Sequence, residues 1–108
     1  MDLTQVQGIE QSLNYIFSIG PDAIYNLIAI LTAIKNGAAS LGAIAVLLHQ
    51  WPALGVIVDQ LLILIGSGAN VIEIAKAIAD FTATVGISSE LVIQFLQLLS
   101  YFLIGFGM

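Results

Sequence analysis

The sequence lacks cysteine and is poor in positive charge. With no cysteine among its 108 residues, a disulfide framework, a thiolate metal site and a cysteine nucleophile are all excluded. Lys35 and Lys76 are the only fixed cations, against seven acidic residues, and the net charge is −5. This balance argues against a surface that binds nucleic-acid phosphates and against a polybasic membrane anchor. We therefore expect no direct, sequence-specific binding of nucleic acid.

The sequence also lacks the residue combinations that mark an active site. No serine lies in a glycine elbow, and the stretch IGSGAN at 65–70 lacks the lysine of a phosphate-binding loop. Asp59 and Glu73 have no partner base near them in sequence. The only histidine, His49, has no metal-ligand spacing to an acid, so we interpret it as a polar helix end beside Trp51 rather than a pH-sensitive residue. We predict that the protein is not an enzyme and has no catalytic residues, metal or catalytic cofactor.

What the chain has in excess is apolar residues. They make up 59% of the sequence, and the mean hydropathy is +1.05, whereas soluble domains average about 45–50% apolar residues. A chain of this length is at most one domain, which we place at 1–108. Because small domains leave much of their surface exposed, we expect most of these side chains to face lipid, other subunits or both.

Apolar periodicity predicts an all-α fold. The first helix, 1–19, is amphipathic, and its apolar residues recur at steps of three and four. These residues are Leu3, Val6, Ile9, Leu13, Ile16 and Phe17. Pro21 and Pro52 suit first helical positions, Gly86 suits a helix end and Ser88 an N-cap. They place three apolar helices at 21–49, 52–84 and 88–106, arranged as hairpins, and Gly66 and Gly68 could kink the second.

Two of the apolar helices are candidate membrane spans. Residues 21–49 would extend about 43 Å as one helix, longer than the ~30 Å hydrocarbon core. Residues 91–108 carry no charge. Lys35 and Asp59 fall inside apolar runs, where each charge costs about 2.5–3.5 kcal/mol at a bilayer centre and needs a partner. A hairpin turning near Gln50 would leave these two residues about 10 Å out of step. We therefore predict that they pair with neighbouring copies or line a wet interior, not that they pair with each other.

Small residues predict a packing face between subunits. Ala29, Ala33 and Gly37 recur every four residues, with Ala38 and Gly42 beside them. This spacing lets helix backbones approach closely in an apolar medium. The turns of the chain carry no lysine or arginine, unlike those of most permanent membrane proteins. The pattern is typical of a subunit held temporarily in a membrane before it assembles.

A charged row, Glu73, Lys76 and Asp80, lies in the stretch VIEIAKAIAD at 71–80. Its spacing of three and four puts the three side chains on one helix face. Such a row is either a solvated face with weak ion pairs or a subunit seam or channel lining that sets the register between copies. The sequence leaves both interpretations open.

The plan of the chain resembles that of conjugative pilins, the small helical subunits of type IV secretion pili and of archaeal DNA-import systems. The similar parts are NGAASLGAIAVLL at 36–48, LLILIGSGANVIEIAK at 61–76 and the scarcity of charge over 21–108. The resemblance implies subunits that wait in the membrane and are then polymerised with phospholipid into a hollow extracellular filament for DNA transfer. It also implies a secretion-type membrane channel and an ATPase as partners. The long first helix and the lysine-free loops fit an archaeal member best.

Two other classes fit the same composition. One is a membrane-associated capsid protein of an archaeal virus, and the other is a small pore-forming membrane protein such as a holin or a bacteriocin. Holins usually end in a basic tail and bacteriocins are usually cationic, and this sequence shows neither feature. Neighbouring genes for a secretion ATPase and a membrane channel would favour the pilin, whereas virion genes would favour the capsid.

Overall fold

The computed structural model describes residues 3–20, 22–37 and 42–107, and in these residues every regular element is a helix. In chain order the helices are α1 (Leu3–Ser18), α2 (Ala23–Lys35), α3 (Ala43–Gln50), α4 (Leu54–Gly66), α5 (Val71–Val85) and α6 (Ser89–Gly107). The predicted all-α class is confirmed. The sequence predicts four helices, however, and the described residues form six.

Helix α1 is the amphipathic helix that the sequence predicts, and it packs mainly against α5 and α6. Its buried residues are Val6, Ile9, Leu13 and Ile16. The approach to α6 is close at Gly8, where a Cβ atom would lie 2.7 Å from Cδ1 of Ile93. Glycine at this position therefore lets the two helices pack closely.

The predicted helix 21–49 is two helices. Helix α2 ends at Lys35, and Asn36 and Gly37 form a turn in which Gly37 has a φ of +75°. Gly42, at φ +52°, precedes α3. Residues that have a Cβ atom rarely adopt positive φ angles. The two glycines therefore suit a break better than a helix interior. The apolar periodicity of residues 21–49 gives no sign of this break. The dipeptide Asn36-Gly37 within that stretch is a strong turn signal, which the predicted continuous helix overlooks.

The predicted helix 52–84 is also two helices, because Ser67–Asn70 separates α4 from α5. Gly68 has a φ of +81°, and Asn70 begins α5 with a capping box. The side-chain oxygen of Asn70 accepts a hydrogen bond from the backbone N–H of Glu73 at 2.9 Å. In return, Glu73 Oε1 accepts one from the Asn70 N–H at 3.0 Å. The glycines thus mark a full break, where the sequence predicts at most a kink.

The boundary between α5 and α6 follows the prediction. Gly86 ends α5 in the left-handed conformation, with φ +78°, and its N–H donates to the carbonyl of Thr82. Ser88 Oγ accepts a hydrogen bond from the backbone N–H of Leu91 at 3.1 Å, as expected of an N-cap. Both predictions for this turn are confirmed.

All six helices contribute to one apolar core around Phe95 of α6, which is fully buried. Helix α2 packs against α4 and α6, and α4 also contacts α5. The radius of gyration is 12.7 Å, and a compact chain of this length is expected to have about 13 Å. The solvent-accessible area is 5892 Å², close to the ~5,800 Å² expected for a globular monomer of this mass. The apolar excess therefore shows in the make-up of the surface and not in its size.

The sequence predicts membrane spans at 21–49 and 91–108. Within the described ranges no single helix is both long and apolar enough to cross a bilayer. Two bent helix pairs meet the length and composition requirements jointly, Thr4–Ser18 with Ala23–Lys35 and Ala43–Gln50 with Leu54–Gly66.

Candidate functional surfaces

Lys35 and Asp59 form an ion pair between α2 and α4. Lys35 Nζ lies 3.5 Å from Asp59 Oδ1, and the side chains are 59% and 46% exposed. The prediction that these residues would not pair within one chain is wrong, because it assumed an unbroken helix over 21–49. With that helix divided, α2 packs directly on α4 and the charges meet. Both side chains remain partly exposed and could still contact another subunit. Their place at a subunit contact or in a lumen stays a prediction.

The charged row of α5 lies on the surface. Glu73, Lys76 and Asp80 are all exposed, and no ion pair within 4.0 Å joins them. Glu73 has a local role, because its carboxylate completes the capping box with Asn70. Lys76 is thus a fixed cation on an open helix face, without an ion-pair partner in the described part of the chain. The two interpretations of the row, a solvated face and a subunit seam or channel lining, both stay predictions.

The predicted small-residue face is not continuous. Ala29 and Ala33 lie on α2, whereas Gly37 belongs to the turn after it and Gly42 precedes α3. Ala38 lies outside the described residues. A Cβ added at Gly37 or Gly42 would meet nothing within 4 Å, so neither glycine permits a close approach within this chain. The prediction of one helical packing face is wrong because the helix ends first, and a role between subunits stays a prediction.

Large apolar side chains are exposed on several helices. Among the large apolar residues whose side chains the structure describes, ten are more than a third exposed: Tyr15, Ile24, Tyr25, Val46, Trp51, Val56, Ile63, Ile72, Tyr101 and Ile104. Scattered apolar residues are normal on soluble proteins, but charges usually separate them. Here charged residues make up only 8% of the chain. The surface is therefore suited to contacts with lipid or protein.

A groove between α1 and α6, which we call the α1–α6 groove, is lined mainly by polar side chains. It encloses about 470 Å³. Its lining residues are Gly8, Gln11, Ser12, Tyr15, Ile93, Leu96, Gln97, Ser100 and Tyr101. The lining contains no Asp, Glu, Lys, Arg or His side chain. The sequence prediction missed this groove, although Gln11 and Tyr15 on α1 and Gln97 and Tyr101 on α6 share the same four-residue spacing.

The structure also places the residues considered for metal binding. His49 is exposed at the end of α3, next to Trp51, which is 48% exposed. No group of three or more His, Cys, Asp or Glu side chains that could hold a metal ion occurs within the described ranges.

Comparisons with known proteins add no relative. Neither protein-family models nor curated proteins nor solved structures give a significant match to the chain.

Proposed function

We propose that this protein is a structural subunit of a hollow, lipid-containing filament of the conjugation-pilus type, used for DNA transfer or import between cells. The subunit would reside in a membrane before assembly and in an extracellular cell-surface filament afterwards. Its partners would be further copies of itself, membrane phospholipid, and a secretion-type membrane channel with its ATPase. We propose a conjugation-type pilus rather than another kind of filament because the sequence resembles conjugative pilins.

The observation that supports this proposal best is the combination of exposed apolar side chains with very few charges. Tyr25, Ile63 and Val46 are 74%, 61% and 59% exposed, on three different helices. Apolar side chains on several faces favour contacts in more than one direction. Contacts between unlike faces of identical subunits generate rings or open helical polymers, in contrast to the closed dimers made by one self-complementary face.

The broken helices are compatible with a change of shape on assembly. Helices α1 and α2 meet at 113°, and α3 and α4 meet at 115°. Each pair is separated by a short connection, and straightening either one would give a longer apolar rod suited to a bilayer or a filament wall. In this proposal the compact chain and the assembled subunit share helices and differ at the connections.

The proposal can be tested with the purified full chain. The chain would be purified in detergent, and the detergent would then be removed either in the presence or in the absence of added phospholipid. The products would be followed by sedimentation velocity and negative-stain electron microscopy. We expect the protein to sediment as large particles, the particles to be filaments in the micrographs, and phospholipid to sediment with them. A chain that stays monomeric under both conditions would contradict the proposal.

A matched pair of variants makes the test specific to the apolar surface. Ile63→Gln replaces an exposed apolar side chain and should reduce the sedimenting fraction without changing helical content. Thr84→Ser, at an exposed polar site on α5, should not change it. Equal polymer yield from both variants would show that the apolar surface does not drive assembly. Closed shells would favour the viral capsid instead, and small oligomers that conduct ions would favour a pore.

A further inference from the structure

The α1–α6 groove has a lining that is unusual in this chain. Six of its nine lining residues carry polar groups, none charged, although the whole sequence is 59% apolar. On α1 the lining residues are spaced three, four and seven apart, from Gly8 to Tyr15, so they form one helix face about 10 Å long. The floor is apolar, because Leu96 is buried and Ile93 packs against Gly8.

The hydrogen-bonding groups of the groove divide into used and free ones. Ser12 Oγ donates to the carbonyl of Gly8 at 3.1 Å, and Ser100 Oγ donates to that of Gln97 at 2.6 Å. Each hydroxyl therefore keeps its lone pairs for an incoming donor. The side-chain amides of Gln11 and Gln97 make no hydrogen bond to the described residues, and each offers both donors and an acceptor.

Two tyrosines lie at the groove, one on each helix. Tyr15 is 54% exposed and Tyr101 is 69% exposed, so both rings present apolar faces to solvent beside the free amides. A tyrosine ring combines a flat apolar surface with a hydroxyl at its edge. Such surfaces suit a ligand that has apolar C–H faces and a hydroxylated rim.

From this arrangement we infer that the α1–α6 groove binds a neutral carbohydrate, in the size range of a short oligosaccharide. Amide and hydroxyl groups match sugar hydroxyls, which both donate and accept, and the tyrosine rings match the C–H faces of sugar rings. A nucleic acid or another anion would find no cation in the lining. An extended peptide would find no free backbone edge, because both walls are helices whose backbone groups are already paired.

The inference does not depend on filament formation, and it can be tested on the full chain in its unassembled form. The ¹⁵N-labelled protein would be titrated with maltotriose, cellotriose and N-acetylated chitotriose, all neutral, with amide shifts recorded by NMR. We expect at least one trisaccharide to shift signals of α1 and α6 at the groove. If none of the three causes shifts there, the inference is wrong.

Variants locate the binding. Tyr15→Ala and Tyr101→Ala should each weaken binding about ten-fold, which corresponds to ~1.4 kcal/mol, and Gln97→Ala should weaken it several-fold. Tyr25→Ala removes another exposed tyrosine, on α2 outside the groove, and should leave the affinity unchanged. Circular dichroism would check that each variant keeps its helices. Equal weakening by Tyr25→Ala would overturn the inference, as would groove variants that alter self-association but not sugar binding.

Discussion

Lys35 and Asp59 join the last residue of α2 to the middle of α4, with Nζ and Oδ1 3.5 Å apart. The contact depends on the helix break after Lys35. In a hairpin with an unbroken helix over 21–49, Lys35 and Asp59 would lie about 10 Å apart along the helix axis. As one of two fixed cations in the chain, Lys35 is thereby placed beside an acid within the same subunit.

The ion pair should contribute little to stability, because both side chains are about half exposed. A double-mutant cycle of Lys35→Ala and Asp59→Ala should give a coupling free energy of about 0.2–1 kcal/mol that decreases with added salt. The measurement is denaturant unfolding followed by circular dichroism. The control cycle pairs Lys76→Ala with Asp59→Ala and should show no coupling. Equal coupling in both cycles would contradict the pairing.

The capping box of α5 should contribute more than the ion pair. Asn70→Ala should lower the free energy of unfolding by about 0.5–2 kcal/mol, because it leaves the Glu73 N–H without its acceptor. Glu73→Gln should be milder than Glu73→Ala, since glutamine can complete the same box. Asp80→Ala, further along the exposed face, serves as the control. If Glu73→Gln and Glu73→Ala were equally destabilising, the capping role would be wrong.

Gly37, in the turn after α2, can serve either of two roles: it permits a left-handed backbone conformation, or it permits close helix packing between subunits. Gly37 has a φ of +75°, and a Cβ atom at this position would touch no neighbouring atom. The cost of Gly37→Ala is therefore conformational, and we expect a loss of about 1 kcal/mol in the free energy of unfolding. Gly37→Asn should be less harmful, since asparagine tolerates this conformation better. Gly37→Leu should abolish assembly if the residue also packs between subunits. Normal polymer from Gly37→Leu would exclude that packing role.

Gly8 allows the close approach of α1 and α6. Alanine is favoured over glycine inside a helix by up to about 1 kcal/mol, but here its Cβ would meet Ile93 Cδ1 at 2.7 Å. Gly8→Val should therefore destabilise the fold more than Gly8→Ala, and Ile93→Ala should reduce the difference between them. Unfolding experiments on Gly8→Ala and Gly8→Val, each with and without Ile93→Ala, would check this. If Ile93→Ala left the difference unchanged, the contact would not be the cause.

Lys76 tests the charged row of α5. Lys76→Glu makes the row wholly acidic, and if the row is a subunit seam this change should weaken the polymer by adding like charges at the contact. Gln94→Glu adds an exposed negative charge on α6, away from the row, and is the control. Unchanged polymer yield and symmetry in Lys76→Glu would identify the row as a solvated face.

Local signals explain which features could be predicted from the sequence. The buried face of α1 followed from apolar spacing, and Gly86 and Ser88 marked their turn through standard capping chemistry. Asn70 and Glu73 carry an equally clear capping signal, which the continuous apolar pattern around it outweighed. Each of these features depends on a few neighbouring residues.

The remaining features depend on tertiary structure. From Ala23 to Leu48 the only charged residue is Lys35, and apolar residues continue across the break, so periodicity did not show where the helix ends. The pairing of Lys35 with Asp59 and the α1–α6 groove both require knowing which helices are neighbours. That information lies in packing between distant segments, and spacing within one segment does not contain it.

The most direct test of the proposed filament is cryo-electron microscopy of material assembled from the purified chain, or of cell-surface filaments, at side-chain resolution. The proposal predicts a thin hollow helical polymer with phospholipid between subunits, and with Lys76 and its acidic neighbours at a subunit contact or the lumen. A closed shell, or helices dispersed singly in a bilayer, would contradict it.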